Sequence, residues 1–247
     1  MMRSRWTLPV LTVVCMVAAG AAANASVLHQ TMRIGGTTVA YEVVLPDDYD
    51  SHKAYPGVLG FSGGPQTPRT VERTVAAFYA DEAQRRGYIV VVPAAPNGAL
   101  FFEGGERIFP AFLQQVLARY RIADGKFRII GPSNGGISAF YIASLYPQYF
   151  VSITAFPGYL PDATAARIAA ISKLCIHMFV GQYDELGFGT PMQQNLAAFH
   201  ARGLSVSYSV EPGQPHRLAT LAGAHSARLF DQFDQDAKRG CGQERRP

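Results

Sequence analysis

Residues 129–136, Ile-Ile-Gly-Pro-Ser-Asn-Gly-Gly, constrain the fold of this chain more than any other stretch. They read as a buried strand that turns into a helix within one residue, with Ser133 at the corner and Gly131 and Gly135 two positions to either side. A side chain on so sharp a turn is lifted clear of the backbone, and the flanking glycines stand where strand and helix crowd together, so a Cβ at either would clash. The hydroxyl then sits at a helix N-terminus, whose amides favour developing negative charge.

The stretches around this corner alternate. Residues 27–34 and 37–45 are β-rich and joined by Gly35-Gly36, a two-residue hairpin signal. Apolar or β-branched runs at 56–61, 88–92, 127–130, 151–156, 174–180 and 206–210 read as strands. Between them, helical spacing is expected over 69–86, 108–120, 134–145, 164–172, 191–202 and 218–238, with Gly87, Pro147 and Gly203 as stops. The pattern predicts an α/β sandwich: a mostly parallel sheet entered by an N-terminal antiparallel hairpin, in one domain of residues 26–247 without a large cap. The composition, 48% hydrophobic and 16% charged over 247 residues, fits that single core.

Residues 1–25 stand apart. Arg3 and Arg5 precede an apolar run at 8–19 and small residues ending Ala23-Asn24-Ala25, the pattern of a secretory signal cleaved before Ser26; the shortness of the run argues against an uncleaved anchor. A secreted or periplasmic protein without a stable membrane span is expected. Cleavage leaves 20 basic against 18 acidic side chains, a net charge of +2, so no nucleic-acid partner is expected either. The two remaining cysteines, Cys175 and Cys241, form a disulfide candidate in an exported chain, both near one edge of the expected sheet, with two inert thiols as the alternative. No His, Cys, Asp and Glu cluster has metal-ligand spacing and no phosphate-cradling loop precedes a lysine, so neither metal nor cofactor is expected.

In a parallel sheet, ligands gather at the carboxyl ends of the strands, and three chemically capable residues follow strands there: Ser133, Asp184 and His216. As nucleophile, acid and base they suit acyl transfer, His216 taking the serine proton and Asp184 steadying the imidazole. His216 is preferred to His225, which shares helical spacing with the apolar residues of the last helix, and to His177 and His200, which lie inside a strand and a helix. Glu185 and Asp162 are reserves for Asp184. An oxyanion needs backbone donors: Asn134 is one, and Phe61 or Ser62, in the run Gly60-Phe61-Ser62-Gly63-Gly64, supplies the other.

These motifs, over residues 37–233, resemble the α/β-hydrolase superfamily, and the elbow Gly-Pro-Ser-Asn-Gly-Gly is similar to that of secreted feruloyl esterases and polyhydroxyalkanoate depolymerases. A histidine often opens the oxyanion loop of related esterases, whereas Gly60-Phe61 stands here. The resemblance implies a serine esterase acting on a small-molecule or polymeric ester through an acyl-enzyme on Ser133. The alternatives are a peptidase or acyltransferase with the same three residues, and a non-catalytic binding member of the fold. Residues 157–173 are too few for an inserted cap, so an open cleft is expected, with Phe101, Phe102, Tyr159, Tyr183 and Phe188, together with Phe61, as candidate walls.

Overall fold

A computed structural model describes residues 27–241, so the reading of residues 1–25 as a signal lies outside the described residues. Eight strands form one sheet in the order β1-β2-β4-β3-β5-β6-β7-β8. Strands β1 (Val27–Ile34) and β2 (Thr37–Val44) make the expected antiparallel hairpin, with Gly35 and Gly36 both at positive φ. β2 pairs antiparallel with β4 (Ile89–Pro93), and from there β3 (Tyr55–Gly60), β5 (Ile122–Gly131), β6 (Phe150–Ala155), β7 (Cys175–Tyr183) and β8 (Val206–Pro215) run parallel. This is the predicted mostly parallel α/β sandwich, and its parallel strands end on one rim.

Helices cover both faces, which is why β4 is buried along its whole length. One face buries Leu59, Val91, Ile129 and Ile153 beneath α3 (Ala111–Arg119), α4 (Asn134–Leu145), α5 (Ala165–Ala170) and α6 (Gly189–His200). The other buries Val58, Val90, Val92 and Ile130 beneath α1 (Pro68–Thr74), α2 (Ala80–Arg86) and α7 (Ala227–Arg239). No helix among the described residues is long and apolar enough to cross a membrane.

Several boundaries depart from the sequence expectation for identifiable reasons. The helix expected over 69–86 is interrupted by a π turn, Val75–Tyr79, that separates α1 from α2. Pro110 delays α3, leaving a 3₁₀ turn at Gly105–Ile108. Gly223, at positive φ, splits the start of the last helix into two 3₁₀ turns, so His225 is exposed on a turn rather than packed in a helix. His177 is structural as expected: it is buried on β7, with Nε2 3.0 Å from both carboxylate oxygens of Asp236 on α7. Next to that pair, a disulfide joins Cys175, at the start of β7, to Cys241, with Cα atoms 5.5 Å apart.

Candidate active site

Ser133 occupies the corner between β5 and α4 at φ 54° and ψ −125°, a conformation that an L-residue holds only where its surroundings impose it. The surroundings are close. A Cβ at Gly131 would run into the backbone of Gly135, and one at Gly135 would stand 2.8 Å from the Phe61 carbonyl oxygen and 2.9 Å from that of Ser62. Gly135, in the first turn of α4, is therefore required by the loop after β3, which packs on the corner. A Cβ at Gly63 in that loop would lie 3.5 Å from the Cβ of Ser133.

Asp184 and His216 are brought together by register. Tyr183 at the end of β7 pairs with Pro215 at the end of β8, so the next residue on each strand is one of the two. The apolar run at 206–210 predicts a strand that stops at Val210, with His216 on a loop beyond it. In the structure β8 continues through a bulge, in which two steps along β7 match four along β8. The bulge needs Gly181, since a Cβ there would meet the carbonyl oxygens of Gln214 and Pro215. Its outer turn places Gly213 at φ 68° and is pinned by the Gly213 N–H donating to Gln182 Oε1 at 2.8 Å.

The resulting line of side chains is continuous. Ser133 Oγ lies 2.9 Å from His216 Nε2, and His216 Nδ1 lies 2.8 Å from Asp184 Oδ2. With Nδ1–H facing the carboxylate, Nε2 accepts from the serine hydroxyl. The other Asp184 oxygen accepts from the N–H groups of Leu186 (3.1 Å) and Phe188 (3.2 Å), which fixes the carboxylate plane. Both His216 and Asp184 side chains are nearly buried, at 7% and 3% exposure, so bulk water does not compete for these bonds. The reserve acid Glu185 faces away: it accepts the backbone N–H of His216 at 2.9 Å, and that bond holds its carboxyl below the usual carboxylate range. The Phe188 ring meets the imidazole edge-on at 4.7 Å, and Tyr159 backs Phe188 at 5.5 Å.

A second group secures the His216 segment. Glu211 is buried at the start of the bulge and accepts from both Arg228 terminal nitrogens (2.8 and 3.0 Å), from Thr220 Oγ1 (2.7 Å) and from Ser209 Oγ (3.0 Å). Arg228 first, then the two hydroxyls, outweigh burial and hold its carboxyl down to about 2.

The oxyanion candidates separate here. The Phe61 N–H is committed to the Ile130 carbonyl at 2.8 Å as a continuation of the β3–β5 ladder, so Phe61 is not a free donor. Among the described residues, neither the Ser62 nor the Asn134 backbone N–H donates within the protein, which leaves these two as the available amides. The Asn134 side chain donates to the Gly64 carbonyl at 3.0 Å and ties loop and elbow together.

Of the expected wall residues, Phe101 and Phe61 are fully buried in the core, with ring centroids 5.0 Å apart and both packed on Phe109, so neither lines an open cleft. Phe102, Tyr159 and Phe188 are half-buried. Tyr183 is 65% exposed, as is Leu186 at 62%, a rim residue beside Asp184 that the sequence reading missed because no motif marks it. The residues 157–173 form α5 and short loops over the core, with no inserted cap. Among the described residues, Cys175, Asp236 and Cys241 come within 4.8 Å of one another, but both sulfurs are bonded to each other.

The sequence matches no protein-family model. Over 141 residues, half of this chain, it is 30% identical to the dipeptidyl-peptidase 5 of Porphyromonas gingivalis, and the match spans 20% of that curated relative's length. Among solved structures, a ferulic acid esterase superposes with a TM-score of 0.65 at 17% identity, over 86% of this chain and 97% of its own. An S-formylglutathione hydrolase from Agrobacterium tumefaciens gives 0.63 at 18% identity, over 86% and 94%. Thermogutta terrifontis esterase 2, phosphorylated by paraoxon, gives 0.64 at 12% identity, over 85% and 93%. With this strand order, these likenesses identify the fold of the chain as that of the α/β-hydrolases.

Proposed function

We propose that this chain is a serine hydrolase that cleaves carboxylic esters through an acyl-enzyme on Ser133. The observation that carries the reading is the unbroken line from Ser133 Oγ through His216 to Asp184, at 2.9 and 2.8 Å, assembled from three strand ends at a strained corner. In the first half-reaction, His216 Nε2 takes the hydroxyl proton as Ser133 Oγ attacks the carbonyl carbon. The charge that develops on the carbonyl oxygen is met by the Ser62 and Asn134 amides, and the protonated His216 returns its proton to the departing alcohol. Water then attacks the acyl-serine with His216 again as base, releasing the acid and the free hydroxyl.

The open, apolar rim of Tyr183, Leu186 and Phe188 suits a small-molecule or polymeric ester with an apolar acyl or aryl group. Export to an oxidising compartment as residues 26–247 belongs to the same reading, supported by the Cys175–Cys241 bond. The likeness to a dipeptidyl-peptidase favours a second reading, in which an amine rather than an alcohol leaves. A fluorophosphonate probe tests the first claim: the expected result is one adduct on Ser133, lost in Ser133→Ala. Folded protein that stays unlabelled refutes it. Rates on p-nitrophenyl and feruloyl esters, polyesters and dipeptide p-nitroanilides then separate esterase from peptidase.

A further inference from the structure

Gln66 is an unusual residue for a loop. It has no exposed surface and sits at φ 53°, a left-handed conformation that costs about 1 kcal/mol or more for a residue with a side chain. A buried carboxamide must spend its donors and its acceptor inside the protein. Gln66 Nε2 donates to the Ser62 carbonyl at 3.1 Å and to Ser138 Oγ at 2.9 Å, while Oε1 accepts the Phe101 N–H at 3.2 Å. Ser138 in turn donates to the Asn134 carbonyl at 2.9 Å. One side chain thus connects the loop after β3, the N-terminal part of α4 and the loop that carries Phe101.

The other side of Ser62 is held as well. The π turn at Val75–Tyr79 ends at Tyr79, whose ring lies so close to Gly60 that a Cβ there would stand 2.8 Å from Cε2. The Tyr79 hydroxyl, fully buried, is directed at the Phe61 carbonyl at 3.5 Å. That carbonyl belongs to the same planar peptide group as the Ser62 N–H, so restraining one end restrains the direction of the other. The Phe61 N–H, locked to Ile130, anchors the peptide group before it. Every peptide group from 60 to 62 is tied down, and the Ser62 N–H is the donor left over.

We propose that Gln66 is a positioning residue for the oxyanion site, acting with Tyr79 to fix the peptide groups on either side of Ser62. The inference rests on the hydrolase reading of Ser133. A preorganised oxyanion donor contributes about 10²–10³-fold to turnover, and it does so only if it is already aimed where the charge forms. Substrate in its ground state gains little from that aim, so the effect belongs in kcat rather than KM.

The test uses the full chain with Gln66→Met, which keeps length and removes all three side-chain bonds, and Tyr79→Phe, which keeps the ring and removes the hydroxyl. Active sites are first counted with a fluorophosphonate. Then kcat and KM on p-nitrophenyl butyrate and Ki for an alkyl trifluoromethyl ketone, which forms a tetrahedral oxyanion on serine, are measured per counted site. For Gln66→Met, kcat is expected to fall roughly 10- to 100-fold with KM within threefold, and Ki to rise by the same factor as kcat falls. Tyr79→Phe is expected to move both in the same direction by a few-fold. Values of kcat and Ki within twofold of wild type in both variants, or a loss confined to KM, overturn the proposal. If Gln66→Met does not fold, Tyr79→Phe decides on the same criteria. A wild-type chain that the fluorophosphonate does not label sinks the hydrolase reading itself, a result distinct from any of these.

Discussion

Replacing Gly181 by alanine tests whether the β7–β8 bulge is what aims His216. The added Cβ would lie 2.5 Å from the Gln214 carbonyl oxygen and nearer still to that of Pro215, whereas a relaxed carbon–oxygen contact begins at roughly 3.4 Å. Both obstacles are backbone atoms on the two residues before His216, so no side-chain rotation relieves them. The end of β8 must withdraw by roughly 1 Å, and the imidazole travels with it. A bond of 2.9 Å to Ser133 Oγ stretched by that amount is no longer a hydrogen bond. Misplacement of a catalytic group by about 1 Å costs on the order of 10²-fold, so kcat/KM on p-nitrophenyl esters is expected to fall by about that factor. Overpacking a well-filled site costs roughly 1–3 kcal/mol, which for a domain of this size lowers Tm by roughly 2–12 °C. Activity per fluorophosphonate-counted site and calorimetric Tm are the assays. Gly181→Ala with kcat/KM within threefold of wild type and an unchanged Tm would refute the claim that the bulge sets the base.

Three other perturbations follow from the same geometry. Asp184→Asn keeps the shape but presents an amide to Nδ1, favouring the wrong imidazole tautomer; kcat is expected to drop by roughly 10⁴ with folding intact, read by steady-state kinetics and circular dichroism. Glu211→Gln removes a carboxyl whose folded pKa, about 2, lies below the ordinary 4.5, so its contribution is fully present above pH 4.5 and is lost as pH falls toward 2. The wild type is therefore expected to lead the variant by about 2 kcal/mol at pH 7, discounted for the half-exposed Arg228, with the lead in Tm closing between pH 4.5 and 2. Replacing Cys175 and Cys241 by serine opens a loop of sequence separation 66, worth about 4 kcal/mol in the chain-entropy model. Because Cys175 opens β7 and Asp184 follows its far end, a lower Tm is expected with kcat at 25 °C unchanged.

What was legible in the sequence is what local physics dictates. The continuous β-branched run within β4 announces a strand covered on both faces, and the spelling around Ser133 announces a corner that only glycines can flank. Asp184 stood out because it follows the apolar run at 174–180 by a short Gly-Gln-Tyr connection, and β7 itself runs on to Tyr183. Pro110 and Gly223 shift helix boundaries locally, whereas several misses around the site come from contacts between segments distant in sequence. Glu211-Pro212-Gly213-Gln214-Pro215 reads as a loop, yet an edge strand tolerates prolines and a bulge, and its pairing with β7 carries it to His216. Phe101 reads as the aromatic of an exposed loop and is core, because Phe61 and Phe109 close over it. Phe61 and Ser62 differ by one position along the chain, and only the ladder bond to Ile130 tells which amide is free. Gln66 belongs to no motif, and its role follows from its three partners at Ser62, Ser138 and Phe101.

The placement of His216 just past the end of an edge strand explains why so many polar side chains gather beside it. β8 has a neighbour on one side only, and its bulge breaks the regular ladder there, so the backbone alone holds His216 weakly. Side chains replace the missing ladder: Gln182 holds the Gly213 N–H, Gln214 Oε1 takes the Ala219 N–H, Glu185 takes the His216 N–H, and Glu211 gathers Ser209, Thr220 and Arg228. Ser133 needs no such help, because it stands in the middle of the sheet with β3 and β6 on either side of β5. Ser133 is rigid through its place in the core, and His216 through a set of bonds around it. Substitutions that loosen the β8 end without touching the three side chains should therefore act on catalysis through His216, with Ser133 left where it is.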